Sequence, residues 1–145
     1  MRLVLDTDVL VAALRSDRGA SRQLLLAALE LRVVTLISVP LILEYEAVLT
    51  RPEQLKGFGL TVGEVNSILD AIAAVAEPVT FRFLWRPQLK DPSDEMVLET
   101  AVNGNADYLA TFNLRHFLEP AALFGMRAAV PGHIWRKIGS EYEKE

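Results

Sequence analysis

The sequence predicts an α/β fold of three layers, with a central, mainly parallel sheet between helices, and three observations carry that prediction. Strand-like and helix-like stretches alternate along the whole length, as in successive βαβ units. The first strand-like stretch, Leu3-Val4-Leu5, ends abruptly in Asp6, with Asp8 one residue further on. A length of 145 residues with 51% hydrophobic content gives one domain a core of its own. Right-handed crossovers then set helices on both faces of the sheet.

Taken in order, residues 3–6 form the first strand. Residues 9–14 and 20–31 read as helices, separated by the turn around Asp17-Arg18-Gly19. Residues 32–37 are β-branched-rich and read as the second strand. Ser38-Val39-Pro40 opens a helix to about Leu49, with proline near the first turn, where its missing N–H costs nothing. Residues 51–60 hold Pro52, Lys56, Gly57 and Gly59, and read as a loop or a short helical excursion. Thr61 caps a helix to about Ala76, and Glu64 stands at the capping-box spacing. Residues 79–83 suit a short strand before a turn at Arg86-Pro87. Residues 92–103 are helical, residues 108–110 a strand, and residues 126–130 the last strand. After Pro131 a short helix carries Trp135. The expected organisation is a single domain over residues 1–138 and a polar tail over residues 139–145.

Net charge is −4, from 19 acidic against 15 basic residues. The whole-chain basic field that announces a nucleic-acid binder is missing, although a surplus of site carboxylates gives the same balance and a bound divalent cation would invert the local sign. There is no cysteine, so neither disulfide nor thiolate chemistry is open to the chain. The apolar stretch from Leu24 to Leu31 is bracketed by Arg22, Glu30 and Arg32 at helix-core length, too short for a membrane span. Asp6 follows a single arginine and three apolar residues, which does not read as a signal peptide. The expected location is the cytoplasm.

The chemistry lies in the carboxylates. In open α/β sheets ligands collect beyond the carboxyl ends of the strands, where Asp6 stands. In Lys90-Asp91-Pro92-Ser93-Asp94-Glu95, Asp91 reads as an N-cap and Pro92 as the first helical residue. Asp94 also suits a first-turn carboxylate that favours the helix dipole. It falls in line with the apolar stripe Val97, Leu98, Ala101 and Val102, however, and a buried carboxylate needs a cation or donors. Glu44 lies at the edge of the inward face formed by Leu41, Tyr45, Val48 and Leu49. It is either a flanking solvated group or a ligand, because periodicity fixes only a face.

In Ala106-Asp107-Tyr108-Leu109-Ala110-Thr111-Phe112-Asn113, an extended chain sets Asp107 and Asn113 roughly 20 Å apart at ~3.3 Å per residue. Thr111 and Asn113 therefore belong near the carboxyl-end site. Asp107 reads as a turn residue and only a secondary candidate. Carboxylates and an amide from separate elements, without histidine or cysteine, suit Mg²⁺ or Mn²⁺ better than zinc. His116 and His133 read as surface or packing residues. Such a site supports phosphoryl chemistry. Arg15, Arg18 and Arg22, at roughly helical spacing, form either a phosphate track or a solvated face. Arg82, Arg86, Lys90 and Arg115 form a second set open to the same two readings, while Phe112 and Trp85 read as packing.

At this point four stretches resemble the motifs of PIN domains. Leu3-Val4-Leu5-Asp6-Thr7-Asp8-Val9-Leu10 is similar to the opening motif, in which the position of Asp8 is often Asn. Ser38-Val39-Pro40 through Glu44-Tyr45 resembles the second, Asp91-Pro92-Ser93-Asp94 with Val97-Leu98-Glu99-Thr100-Ala101 the third, and residues 106–117 the fourth, in which the position of Asn113 is Asp in many members. The resemblance runs from about Arg2 to Ile134, in order and spacing. It implies a Mg²⁺- or Mn²⁺-dependent ribonuclease of the VapC-like kind, the toxin of a toxin–antitoxin pair, dimeric and inhibited by a small antitoxin. It further implies Asp6, Glu44 and Asp94 as catalytic metal ligands and Asn113 as a weaker ligand, with Asp8 and Thr111 in support. Asn at position 113 lowers the site's negative charge and leaves the number of metal ions open.

Two rival readings stand beside it. A haloacid-dehalogenase-like phosphatase also opens on a strand ending in Asp-x-Asp, with Asp6 as nucleophile and Asp8 as general acid, but leaves Glu44 and Asn113 unexplained. A degenerate, non-catalytic PIN-like module would only bind a partner and would show no divalent-ion affinity beyond that of an Asp6→Asn variant.

Overall fold

The structure is a computed structural model in which residues 1–82 and 91–143 are described. The chain runs β1 (Arg2–Leu5), α1 (Thr7–Arg15), α2 (Ala20–Leu29), β2 (Val34–Ile37), α3 (Val39–Leu49), α4 (Pro52–Phe58), α5 (Val62–Val75), β3 (Glu77–Pro78), α6 (Pro92–Asn103), β4 (Tyr108–Ala110), α7 (Leu114–Leu123), β5 (Arg127–Ala129) and α8 (Pro131–Glu143). The described strands form one sheet in the order β3-β2-β1-β4-β5, every neighbouring pair parallel. β1 is central. Leu3, Val4 and Leu5 face Tyr108, Leu109 and Ala110 of β4, while Arg2 and Leu3 face Val34 and Thr35 of β2. The order reverses on either side of β1, so the crevice between the ends of β1 and β4 is a topological switch point.

Helices cover both faces. α2 packs on α1, α5 and α8, while α6 lies across β1, β2 and β4 with α7 beside it. α3 touches α1, α5 and α6 and so borders the sheet's carboxyl end. This is the expected three-layer arrangement. Leu3, Val4, Leu109 and Ala110 have no exposed surface, because strands covered on both faces bury every side chain. No single helix among the described residues is long and apolar enough to cross a membrane.

Local chemistry explains several element boundaries. Ser38 caps α3, its hydroxyl accepting from Leu41 N–H, with proline at the first positions of that helix. Thr61 and Glu64 complete the capping box of α5. Asp91 caps α6 by accepting from Ser93 N–H. Gly104 closes α6 where a Cβ would stand 2.6 Å from Leu36 Cδ1 and 2.9 Å from Val79 Cγ2, so only glycine lets the helix end lie against β2.

Several expectations are corrected. The strand expected at residues 79–83 is instead Glu77–Pro78, paired with Leu36 and Ile37; Phe83 and the Arg86-Pro87 turn lie outside the described residues. Proline suits that position because β3 is an edge strand. Residues 51–60 do hold a short helix, α4. Residues 114–123, for which no element was expected, form α7 with Pro120 inside it. The helix after Pro131 is long, and runs through the stretch read as a tail as far as Glu143.

Candidate metal centre

Asp6 follows β1 directly and caps α1. The strand must end where its side chain turns back, and Asp is a favoured cap because its carboxylate accepts from the free N–H groups of the first turn. Here Oδ1 accepts from Thr7 N–H at 2.8 Å and Oδ2 from the Thr111 hydroxyl at 2.7 Å. Thr111 is fully buried just beyond β4, and its own N–H donates to Ala129 of β5. Parallel pairing of β1 with β4 thus brings residues 6 and 111 together at the switch point. Asp6 is itself buried, 6% exposed. Burial, aided by the nearby charges of Asp8 and Asp94 and opposed by the hydrogen bonds from Thr111 and Thr7, raises its pKa to about 7.

Asp8, in the first turn of α1, accepts from Phe112 N–H through Oδ2 at 3.1 Å. Its Oδ1 is buried and has no hydrogen-bond partner. Burial raises the Asp8 pKa, with the Asp94 charge adding to it and the Phe112 N–H working against it. Asp94 stands in the first turn of α6, 8% exposed, and shares a 2.9 Å hydrogen bond through Oδ2 with His116 Nδ1 of α7. The charges of Asp8 and Asp94 both raise the pKa of Asp6, and that of Asp94 raises Asp8, so the three carboxylates lie within electrostatic reach of one another.

Glu44 is half-buried on α3 beside Tyr45. The Tyr45 hydroxyl donates to the Leu5 carbonyl, fastening α3 beneath the end of β1, and burial with the Asp6 charge holds that phenol far above its usual range. Glu44 is thus carried on the helix that is fastened to the end of β1. Asn113 caps α7 by position, but its side chain makes no cap bond; its N–H donates to Thr111 Oγ1 at 2.9 Å.

The other expected residues separate cleanly. Asp91 is engaged as the cap of α6. Asp107 lies at the opposite end of the sheet, where its carboxylate accepts from Arg2 N–H at 2.8 Å, so this secondary candidate is removed from the crevice. Arg15 is bound to Gln54 of α4 and sits 6.0 Å from the Phe58 ring centroid. Arg22 caps the end of α1 through the Ala13 carbonyl at 2.5 Å. Of that expected track, Arg15 and Arg22 hold helices together and Arg18 is exposed in the turn. Arg115 is exposed on the first turn of α7, and Arg82 is exposed beyond β3. Trp85, Arg86 and Lys90 lie outside the described residues.

Two functional assignments differ from the sequence reading. His116, read as a surface or packing residue, is the partner of Asp94. Phe112, read as packing, is 50% exposed beside the aspartates. The only sequence signal for either is position: both lie within five residues of Thr111.

Among the described residues, no three His, Asp or Glu side chains stand close enough together to hold a metal ion. The donor set nonetheless fits a hard cation. It is all oxygen, three carboxylates compete for one crevice, and one buried oxygen, Asp8 Oδ1, lacks any donor. Desolvated carboxylates facing one another hold protons until a cation displaces them.

Compared with known proteins, the family model described as PIN domain matches residues 2–115. Neither a curated protein nor a solved structure matches the chain.

Proposed function

From the premise that this chain belongs to the PIN-domain family, shown by the match over residues 2–115, we propose that it is a Mg²⁺- or Mn²⁺-dependent endoribonuclease. PIN domains are typically nucleases that use divalent ions, and that membership displaces the dehalogenase-like reading. The carrying observation is that Asp6, Asp8 and Asp94 lie within electrostatic reach of one another at the switch-point crevice, and that one buried oxygen of Asp8 has no donor.

Asp6 and Asp94 would hold the ion, with Glu44 and Asn113 as further ligands and the Oδ1 of Asp8, which has no hydrogen-bond partner, available to it. A bound ion supplies positive charge to phosphate oxygens and makes water more acidic. Thr111 fixes the Asp6 carboxylate through one oxygen, so its orientation is set before anything binds. Phe112 offers an exposed ring beside the carboxylates for a base to stack on. Arg115, exposed on the first turn of α7 next to His116, is a cation available to phosphates there, and the exposed Arg18 stays a more distant candidate.

The resemblance to VapC-like members extends the proposal to a toxin that acts in the cytoplasm as a homodimer and is restrained by a small antitoxin. Purified protein incubated with structured and single-stranded RNA tests the reading. Cleavage is expected with Mg²⁺ or Mn²⁺, and none with EDTA or in the Asp94→Asn variant. Cleavage that survives EDTA would sink it, and no cleavage of any RNA alongside tight Mn²⁺ binding would favour the non-catalytic module.

A further inference from the structure

The N-terminal end of α7 is linked to two carboxylates of the crevice, to Asp94 directly and to Asp6 through Thr111. Asn113 N–H donates to Thr111 Oγ1, and that hydroxyl donates to Asp6 Oδ2. Three residues on, His116 Nδ1 lies 2.9 Å from Asp94 Oδ2. Asp94 and His116 occupy the same third position of their helices, counted from the caps Asp91 and Asn113. Two helix N-termini therefore meet through these side chains. The burial is lopsided, with the Asp94 side chain 12% exposed and that of His116 50% exposed. The imidazole has water available and does not need this partner; the carboxylate, largely cut off from water, needs the donor. Phe117, next to His116, is fully buried and fixes the backbone from which the ring reaches out.

We infer that His116 is a positioning residue for Asp94: its Nδ1–H donates to Oδ2, locks the rotation of the carboxylate, and leaves Oδ1 for the cation. This rests on the metal-binding reading above. An unpinned carboxylate turns broadly about its last torsion, and freezing it on binding costs affinity. A donor already in place removes that cost, which is why partners of metal-ligating side chains matter to binding although they never touch the ion. α7 thereby serves both walls of the crevice, Asp6 through Thr111 and Asp94 through His116.

The test is a calorimetric Mn²⁺ titration of wild type, His116→Ala, His116→Asn and Asp94→Asn. Asparagine keeps an amide donor near the position of Nδ1. His116→Ala is expected to weaken Mn²⁺ binding by about 10- to 100-fold, His116→Asn to restore most of it, and Asp94→Asn to abolish it. A long-range ¹H–¹⁵N spectrum of the metal-free protein gives a second readout, in which neutral His116 carries its proton on Nδ1. Unchanged affinity in His116→Ala with binding lost in Asp94→Asn overturns the inference and leaves the metal site standing. A loss that asparagine does not rescue, with the proton on Nε2, assigns His116 to packing and also overturns it. Absence of binding in wild type removes the metal-binding reading itself, and this inference with it.

Discussion

At Asp6 a single side chain carries opposed demands. Two hydrogen bonds favour its charge, yet burial and two neighbouring aspartates raise its pKa from 3.8 to about 7. Folding therefore takes up a proton within that window. The contribution of Asp6 to stability is present below 3.8 and is lost as pH rises toward about 7. In metal-free protein, the stability of wild type relative to Asp6→Asn is expected to fall steadily across the window and to level off above it; urea unfolding at several pH values measures this, and a flat difference contradicts it. At neutral pH the Asn variant should be the more stable protein while failing to bind Mn²⁺. Phe112 makes a second prediction. Phe112→Ala in an Asp94→Asn background should weaken binding of single-stranded RNA by about 1–3 kcal/mol by fluorescence anisotropy, with the melting temperature unchanged because the ring is half exposed. Asp6 and Thr111 were readable from sequence because each stands where an apolar run breaks off, and Asp94 because it falls in line with the apolar stripe of its helix. His116 was not, since its partner lies 22 residues away on another helix and no local pattern reports such a meeting.

At the level of elements, legibility followed the punctuation. α6 is bounded by Asp91-Pro92 and Gly104, and its limits fall where those residues require. α7 lacked such marks: its N-cap side chain makes no bond, and Pro120 inside the helix argues against helix while leaving the His116 carbonyl without its usual donor. Only Phe117 and Ala121 are buried there, too short a stripe to read alone. β3 escaped because two residues become strand by pairing with β2, which is a tertiary fact. Just past α2 and its cap Glu30, Leu31 adopts φ 60, with Leu31 N–H donating to the Ala28 carbonyl and Arg32 N–H to that of Ala27. A non-glycine residue in that region costs about 1–2 kcal/mol, and Leu31 is 68% exposed, so it has little packing to lose. Leu31→Gly is expected to stabilise the protein by about 0.5–1 kcal/mol, after glycine's greater unfolded-state freedom is set against the strain. Gly104→Ala should act oppositely and cost about 1–3 kcal/mol, as overpacking does. Chemical denaturation reads both.

For the whole molecule, sheet order converts strand ends into a site: reversal at β1 opens a crevice that carboxylates from α1 and α6 then line. A cation that binds only the folded crevice stabilises the entire domain, by about 2.7 kcal/mol at a hundredfold excess over its Kd. Mn²⁺ should accordingly raise the melting temperature of wild type and leave Asp6→Asn where it was. The same architecture governs synthesis. The hydrogen bond between Asp6 and Thr111 spans 105 residues of chain, and Asp94 and His116 are likewise late to emerge. At ~5–20 residues per second, a ribosome needs on the order of 5–20 s after making Asp6 before its partner exists. Throughout that interval the nascent chain carries Asp6 without the hydroxyl that orients it, and a product that stops short of α7 lacks the His116 partner of Asp94 as well. The crevice is thus closed by the last third of the chain, and its two hydrogen-bonded carboxylates acquire fixed orientations only once the sequence through α7 has been made.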